Sequence, residues 1–490
     1  MNLKVLSKLV GFLLLFLAAS QASCLVYAVW DGESSEGLDA VEAFSISIGI
    51  AVISGLAMLG LGRGADNELL RRESVSVVGL GWIFCTLFGA LPYFLCEPRM
   101  GLADSLFESV SGFTATGATV IADIESMPRS LLLWRALTQW LGGMGILVLF
   151  VALLSSFGAG SKALFRHESS TFDAEGLSPR IQWTSIQLWG IYVFLSLVCY
   201  LGLRVLGMGN FDAVCHSFTT VATGGFSTYN ASIGHFDSLA IELWIVVFML
   251  LGAMNFMLYA WMLRRQWDRW RQDEASKVLL LIIGLSTLCI ALNLTFREND
   301  LSFGQGLREA LFQVIAIMTT TGFATADFDQ WPAFSVIVLV FLMVIGGCAG
   351  STSGGLKVGR FILFFKTVRF QLKMGFRPNQ VMKLKLNGNA VSDRFRIDTL
   401  FLISVAALSV LLGSMIVCLL QPQQDLRTCV SAVLASLFNI GPALGEVGPT
   451  QHYGGFNGMT KIFLSFLMVL GRLEFYALLV LFMPSLWKRY

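Results

Sequence analysis

Four short runs set a glycine behind small or hydroxyl-bearing residues: "FTATGATV" (113–120), "TVATGGFS" (220–227), "TTTGFATA" (319–326) and "FNIGPALG" (438–445). The glycines aligned on this pattern are Gly117, Gly224, Gly322 and Gly441, and they recur at near-regular separations. The chemistry open to such residues is carbonyl coordination. Glycine takes positive φ without penalty and can turn its carbonyl inward. A ring of backbone carbonyls can replace a cation's hydration shell. No acid falls within 114–118, 221–226, 319–324 or 438–443, which suits a monovalent ion such as K⁺ better than Ca²⁺. A single threonine–glycine pair would be an ordinary helix-packing site. Four at a repeated spacing, all on one face of the expected topology, argue for a common role.

A fifth stretch, "IGGCAGSTSGGLK" (345–357), interrupts an apolar run with five glycines and three hydroxyls. It lacks the GK[ST] ending of a phosphate loop. The apolar residues before it, Ala333 to Val344, rise about 18 Å at ~1.5 Å each, little more than half of a ~30 Å hydrocarbon core. The loop is therefore expected just beneath the glycine turns. Non-helical backbone at that depth must be buried or line a cavity, so the stretch reads as an intramembrane gate.

The elements that must position these residues follow from composition. Of 490 residues, 55% are hydrophobic and only 13% charged, against about 25% charged in soluble domains. The chain reads as a polytopic membrane protein. A net charge of +2 argues against a nucleic-acid partner. Nine scattered cysteines without a CxxC pair, and four histidines without metal spacing, read as isolated residues rather than as a disulfide or zinc site. Candidate spans are 8–30, 39–61, 75–96, 130–156, 182–206, 238–262, 277–296, 333–370 (interrupted), 396–420 and 459–486. The N-terminal apolar run exceeds a signal-peptide core and is read as a retained first span. Segments 102–116, 211–223, 307–321 and 426–440 are too short to cross and read as helices that enter and turn back. With the N-terminus inside, most of the 34 Lys and Arg lie on the inner side, as the positive-inside rule requires. Asp104, Asp212 and Glu309 are expected in the first turns of the first three short helices, where a carboxylate complements the dipole. The fourth lacks an acid at that offset, Asp425 lying further upstream.

These residues resemble the Trk/Ktr/HKT superfamily of potassium transporters, and within it the TrkH type. "QWLGGMGILVL" (139–149), "IGGCAGSTSGGLKVGRF" (345–361), "FNIGPALG" and "LGRLEFYALLVLF" (470–482) are similar to family signatures, and the likeness spans essentially the whole chain. The resemblance implies an all-α polytopic membrane protein with four span–pore helix–span repeats around a pseudo-fourfold pore, preceded by two N-terminal transmembrane helices. Its parts would be a helix pair (1–70), repeat 1 (71–160), repeat 2 (161–270), repeat 3 with a broken second helix (271–375) and repeat 4 (376–490). It implies K⁺ as the transported ion and no organic cofactor. It also implies a homodimer, a cytosolic TrkA-like nucleotide-binding regulatory ring, and residence in the bacterial inner membrane with both termini cytoplasmic. Carbonyl ligands carry over to Ala115, Thr116 and Gly117; Ala222, Thr223 and Gly224; Thr320, Thr321 and Gly322; and Asn439, Ile440 and Gly441. Glycine at 117, where sodium-selective plant relatives have serine, implies K⁺ selectivity. The fourth turn has no threonine and departs most from the pattern.

The gate residues are Gly346, Gly347, Gly350, Ser351, Thr352, Ser353, Gly354 and Gly355, joined by Arg472. An arginine about halfway along a span costs about 2.5–3.5 kcal/mol on insertion scales and is functional by default. As in the family, it would project into the pore as a barrier to cations. Arg135, near the outer end of its span, is expected to snorkel to the interface, and Asn255 to bond between helices. The "RRQWDRWRQDE" cluster (264–274) reads as an interface belt or a docking site, and the basic stretch 357–396 as a lipid or partner contact. A rival reading is an ion-coupled secondary transporter of a small solute, which also uses broken helices. Four parallel repeats would mark a pore, and two inverted ones alternating access. No HExxH and no nucleophile–base pair points to an enzyme.

Overall fold

The computed structural model describes residues 2–33, 39–65, 71–145, 181–297, 301–377 and 384–484. Among these, six helices are long and apolar enough to cross a membrane, and a bent pair makes a seventh. Two N-terminal helices, Leu3–Asp31 and Ala40–Leu61, cross closely at Gly11 and Gly55. Asp39 caps the second through the Glu42 amide at 2.8 Å. Small residues at such a crossing let two apolar helices gain packing that lipid cannot supply.

Four repeats follow, each an outer helix, a short helix and an inner helix. The outer helices are Arg71–Gly89, Ile181–Val205, Glu274–Arg297 and Asp393–Leu420. The short helices are Leu102–Phe113, Asn210–Val221, Phe303–Met318 and Leu426–Leu437. The inner helices are Arg129–Gly143, Leu239–Ala253, Ala333–Val344 and Gly458–Arg472. Asp104 and Asp212 occupy first turns as expected, but Glu309 does not. The third short helix starts earlier, at Phe303, and its N-cap Ser302 forms a capping box with Gln305 that satisfies the first amides without a charge. In the fourth, Asp425 is itself the N-cap and accepts from the Thr428 amide at 2.8 Å. Its bonds with Thr428 hold the carboxyl below the usual range.

Each inner helix meets the short helix or entry loop of the next repeat, in cyclic order. Arg129 lies over the Phe211 ring at 5.8 Å, joining repeats 1 and 2. Glu242 accepts from Arg308 twice, at 2.8 and 2.7 Å, joining 2 and 3. Asp329, just before the third inner helix, pairs with Arg427 at 2.8 Å, and Lys461 returns to Asp104 at 2.5 Å. The seams therefore run 1–2–3–4–1, a closed ring.

Two further expectations are corrected. Only the third inner span was expected to break, yet none of the inner helices runs on as one straight helix. The second bends by 90° between Ala253 and Phe256. The fourth stops at Arg472 and passes through Glu474 (φ 49°) and Phe475 (φ 67°), both in the left-handed region. The first stops at Gly143, and the expected remainder of its span lies outside the described residues, as do Lys488 and Arg489. Asn255 is not a helix–helix contact but the N-cap of Phe256–Leu263, accepting from the Met257 amide at 2.9 Å. The 357–396 stretch includes an Asn387–Gly388 hairpin, which Asn387 ties to the Glu274 amide at 2.9 Å.

Candidate functional site

All four short helices end in the same Schellman turn. The residue after the C-cap is left-handed: Ala115 (φ 52°), Thr223 (φ 52°), Thr320 (φ 56°) and Asn439 (φ 55°). The next amide reaches back five residues: Thr116 to Ser111 O at 2.9 Å, Gly224 to Thr219 O at 2.9 Å, Thr321 to Ala316 O at 2.8 Å and Ile440 to Ala435 O at 2.9 Å. This bond satisfies an orphan carbonyl at the helix end. None of the four left-handed residues is glycine, so each turn stores roughly 1–2 kcal/mol of backbone strain. Such strain persists only where the surroundings over-determine the geometry.

The following residue in each turn is a positive-φ glycine: Gly117 (83°), Gly225 (79°), Gly322 (76°) and Gly441 (101°). The second turn therefore shifts by one from the expected register. Gly225, not Gly224, is equivalent to Gly117, and Ala222 is the C-cap at φ −71°. The cause is the adjacent pair Gly224–Gly225, in which the Schellman geometry selects the second glycine.

These glycines also mark how the turns meet. A Cβ on Gly117 would overlap the carbonyl oxygen of Gly224, one on Gly225 that of Thr321, and one on Gly322 that of Ile440. A Cβ on Gly441 would come within 2.7 Å of Thr116 O. Each glycine thus faces the carbonyl just before the glycine of the following repeat, and four carbonyls form one closed layer. Above it opens a mouth of about 100 Å³ lined by all four glycines.

Polar groups brace the turns from behind. The Thr114 and Thr116 hydroxyls share a hydrogen bond at 2.7 Å, as do those of Thr319 and Thr321. In the fourth turn Asn439 substitutes for threonine, donating to Thr116 Oγ1 and to Met468 O, both at 2.9 Å. Arg135 does not snorkel: it is 1% exposed. Its Nε donates to Glu108 at 2.8 Å, one terminal nitrogen donates to Ser227 O at 3.0 Å, and its guanidinium lies 4.1 Å from the Phe226 ring centroid. Glu108 also accepts from the Val120 amide at 3.0 Å. The pair clamps the strands leaving the first two turns, and sequence spacing could not reveal it because its partners come from separate segments. Glu108→Ala leaves a buried guanidinium without its carboxylate and should cost about 3–5 kcal/mol, whereas Glu108→Leu with Arg135→Met should recover most of that. Denaturation of the purified variants in detergent measures both; equal loss in single and double variants would refute the pairing.

Beneath the turns lies the 345–357 loop. Its ends pair as parallel strands, Ile345 with Leu356 and Gly346 with Lys357. The Gly354 amide donates to Thr320 Oγ1 at 2.6 Å, and Thr352 Oγ1 donates to Val221 O at 3.1 Å and Gly252 O at 3.0 Å. Lys357 donates to Ser353 O, and Ser353 Oγ accepts from the Gly347 amide at 3.1 Å. The broken inner helices need this loop. Ala253 O accepts from the Cys348 amide at 2.9 Å and Gly252 O from the Thr352 amide at 3.1 Å, while Gly350 O accepts from the Phe256 amide at 3.0 Å. Helix ends at membrane depth thus find the partners that water would otherwise supply.

Arg472 completes the interlock. It donates to Thr352 O at 2.8 Å, and to Gly142 O and Gly143 O at 2.6 and 2.7 Å, the last carbonyls of the first inner helix. A cation at a helix C-terminus complements the dipole. Glu474 pairs across to Arg360, on the helix that follows the loop. The predicted loop residues and Arg472 therefore meet below the ring. The tail of the 139–149 motif, 146–149, lies outside the described residues.

Fold and site together define a polytopic membrane protein whose four re-entrant repeats close a carbonyl ring over an intramembrane loop. A family model described as "TrkH: Cation transport protein" matches residues 49–489. The chain belongs to the TrkH family. It is 38% identical over 494 residues to the Trk system potassium uptake protein TrkH of Halomonas elongata, covering 100% of both chains. Its identity to the protein of that name from Escherichia coli strain K12 is 37% over 496 residues, again covering 100% of both. The crystal structure of the potassium transporter TrkH from Vibrio parahaemolyticus matches with a TM-score of 0.88 at 34% identity, covering 100% of both chains.

Proposed function

We propose that this protein takes up K⁺ across the bacterial inner membrane, with the ring of turn carbonyls as its selectivity filter and the 345–357 loop as its gate. The observation that carries the reading is the cyclic facing of Gly117, Gly225, Gly322 and Gly441 on the carbonyls of Gly224, Thr321, Ile440 and Thr116. Four carbonyls at one level, above four short-helix C-termini, offer partial negative charge to a dehydrated cation. The ligand set is then residues 115–117, 223–225, 320–322 and 439–441. Four repeats in the same sense around one axis favour a pore over alternating access between two inverted repeats. Relatives named as parts of a Trk system support K⁺ as the ion and a separate regulatory subunit.

In this reading the chain is a homodimer with cytoplasmic termini and the repeat boundaries given above. A TrkA-like nucleotide-binding ring pulls on the helix Val358–Phe376. The exposed basic helix Trp267–Gln272, with no buried residue, is part of the surface it meets.

The test is ⁸⁶Rb⁺ uptake into liposomes holding the purified protein, competed with K⁺ and Na⁺. K⁺ should compete at least about tenfold better than Na⁺, a difference of ~1.4 kcal/mol at the filter. Equal competition would overturn K⁺ selectivity, and absent uptake the pore reading.

A further inference from the structure

At the same position from the start of each inner helix stand Gln139, Met249, Met343 and Met468, all fully buried. Three repeats thus carry a thioether at this position, and one carries a carboxamide. The Gln139 side chain makes two bonds to the second turn. Nε2 donates to Gly224 O at 2.7 Å, and Oε1 accepts from the Phe226 amide at 3.0 Å. Gly224 O is one of the four carbonyls in the closed layer. The other three, of Thr116, Thr321 and Ile440, accept no hydrogen bond from a described residue.

We propose that Gln139 is a specificity-determining positioning residue, which fixes one of the four filter carbonyls so that the ring cannot contract around a smaller cation. The inference rests on the filter reading above. A free carbonyl can tilt to follow the ion, and discrimination then depends on how stiffly the ligands hold their spacing. A neutral amide bonded to Gly224 O opposes that tilt. Its second bond, to Phe226 N–H, anchors the amide on the far side of Gly225 and fixes its orientation. Methionine has nearly the same length but no donor or acceptor of comparable strength. The substitution therefore removes the constraint and keeps the volume. Gln139 does not touch the ion path; it acts through Gly224.

The experiment compares wild type, Gln139→Met and Met249→Leu in liposomes, reading the ratio of K⁺ to Na⁺ competition against ⁸⁶Rb⁺ as well as total uptake. Gln139→Met is expected to lower the ratio about fivefold, the Boltzmann factor of one net neutral hydrogen bond. Uptake of Rb⁺ itself should persist, and Met249→Leu should leave the ratio unchanged. A merely structural role would lower uptake and leave the ratio alone. Gln139→Glu is a second variant for the case that the methionine protein does not assemble. It keeps the acceptor for Phe226, loses the donor to Gly224, and lies one helical turn from Arg135. It too should lose selectivity. Wild type without K⁺ preference would overturn the filter reading itself. A selective wild type with an equally selective Gln139→Met or Gln139→Glu would overturn only the role of Gln139.

Discussion

Gly225→Ala should abolish discrimination between K⁺ and Na⁺, and should do so more completely than Gly224→Ala. Gly225 has φ 79°, and an added Cβ would overlap the backbone oxygen of Thr321 in the next repeat. A left-handed alanine costs roughly 1–2 kcal/mol before any clash is counted. The clash itself is with a carbonyl of the proposed filter, so any relief of it moves a filter ligand. At Gly224 the added methyl meets the Gln139 carboxamide instead, which yields by giving up its bonds to Gly224 O and the Phe226 amide and not by moving the carbonyl of a neighbouring repeat. We expect K⁺ over Na⁺ selectivity to fall to near unity in Gly225→Ala, a loss of about tenfold or more for each ~1.4 kcal/mol of ring distortion. Gly224→Ala should keep a measurable part of it. Competition of ⁸⁶Rb⁺ uptake reads both. The reverse order would return the filter glycine of repeat 2 to position 224 and break the proposed equivalence of the four turns.

That comparison also shows where sequence stops. Local composition located all four turns and the loop, because a hydroxyl-rich run ending in glycine inside an apolar chain has few structural uses. It could not choose between two adjacent glycines, since the choice depends on where the preceding helix leaves its last carbonyls. Burial of Arg135 was hidden for a similar reason. Its carboxylate, Glu108, sits in a helix whose approach is set by tertiary packing, and an arginine near a span end is ambiguous on hydropathy alone. Other misses had local signals. Asn255 after Met254 is a good N-cap, and a cap inside a span announces a break. "LGG" at 141–143 and "GRLEF" at 471–475 marked comparable stops. Four interrupted inner helices leave carbonyls unpaired, and the glycine-rich loop with Arg472 supplies donors to those of the first and second. The loop and the breaks are therefore one feature, readable as such only when both are seen.

From this follows the second large effect, on Arg472. Its guanidinium joins the loop, through Thr352 O, to the end of the first inner helix, through Gly142 O and Gly143 O. If the loop is the gate, this is the latch that keeps it across the path, and its positive charge also repels cations there. Arg472→Ala removes three charge-assisted bonds, each worth about 1.5–3 kcal/mol where it is made. Rubidium uptake should rise about tenfold or more, the equivalent of ~1.4 kcal/mol, with the protein still assembled. Deleting part of 350–353 should raise it as well, and the two changes together should add little beyond the larger, because they release the same contact. Fully additive effects would mean that arginine and loop act as separate barriers. Unchanged uptake in a folded Arg472→Ala protein would remove the latch, and reduced or unchanged uptake in a folded loop deletion would remove the gate. The filter is probed separately by K⁺ against Na⁺ competition, which Arg472→Ala should not alter, since Arg472 makes its bonds with the loop and the first inner helix, below the carbonyl ring.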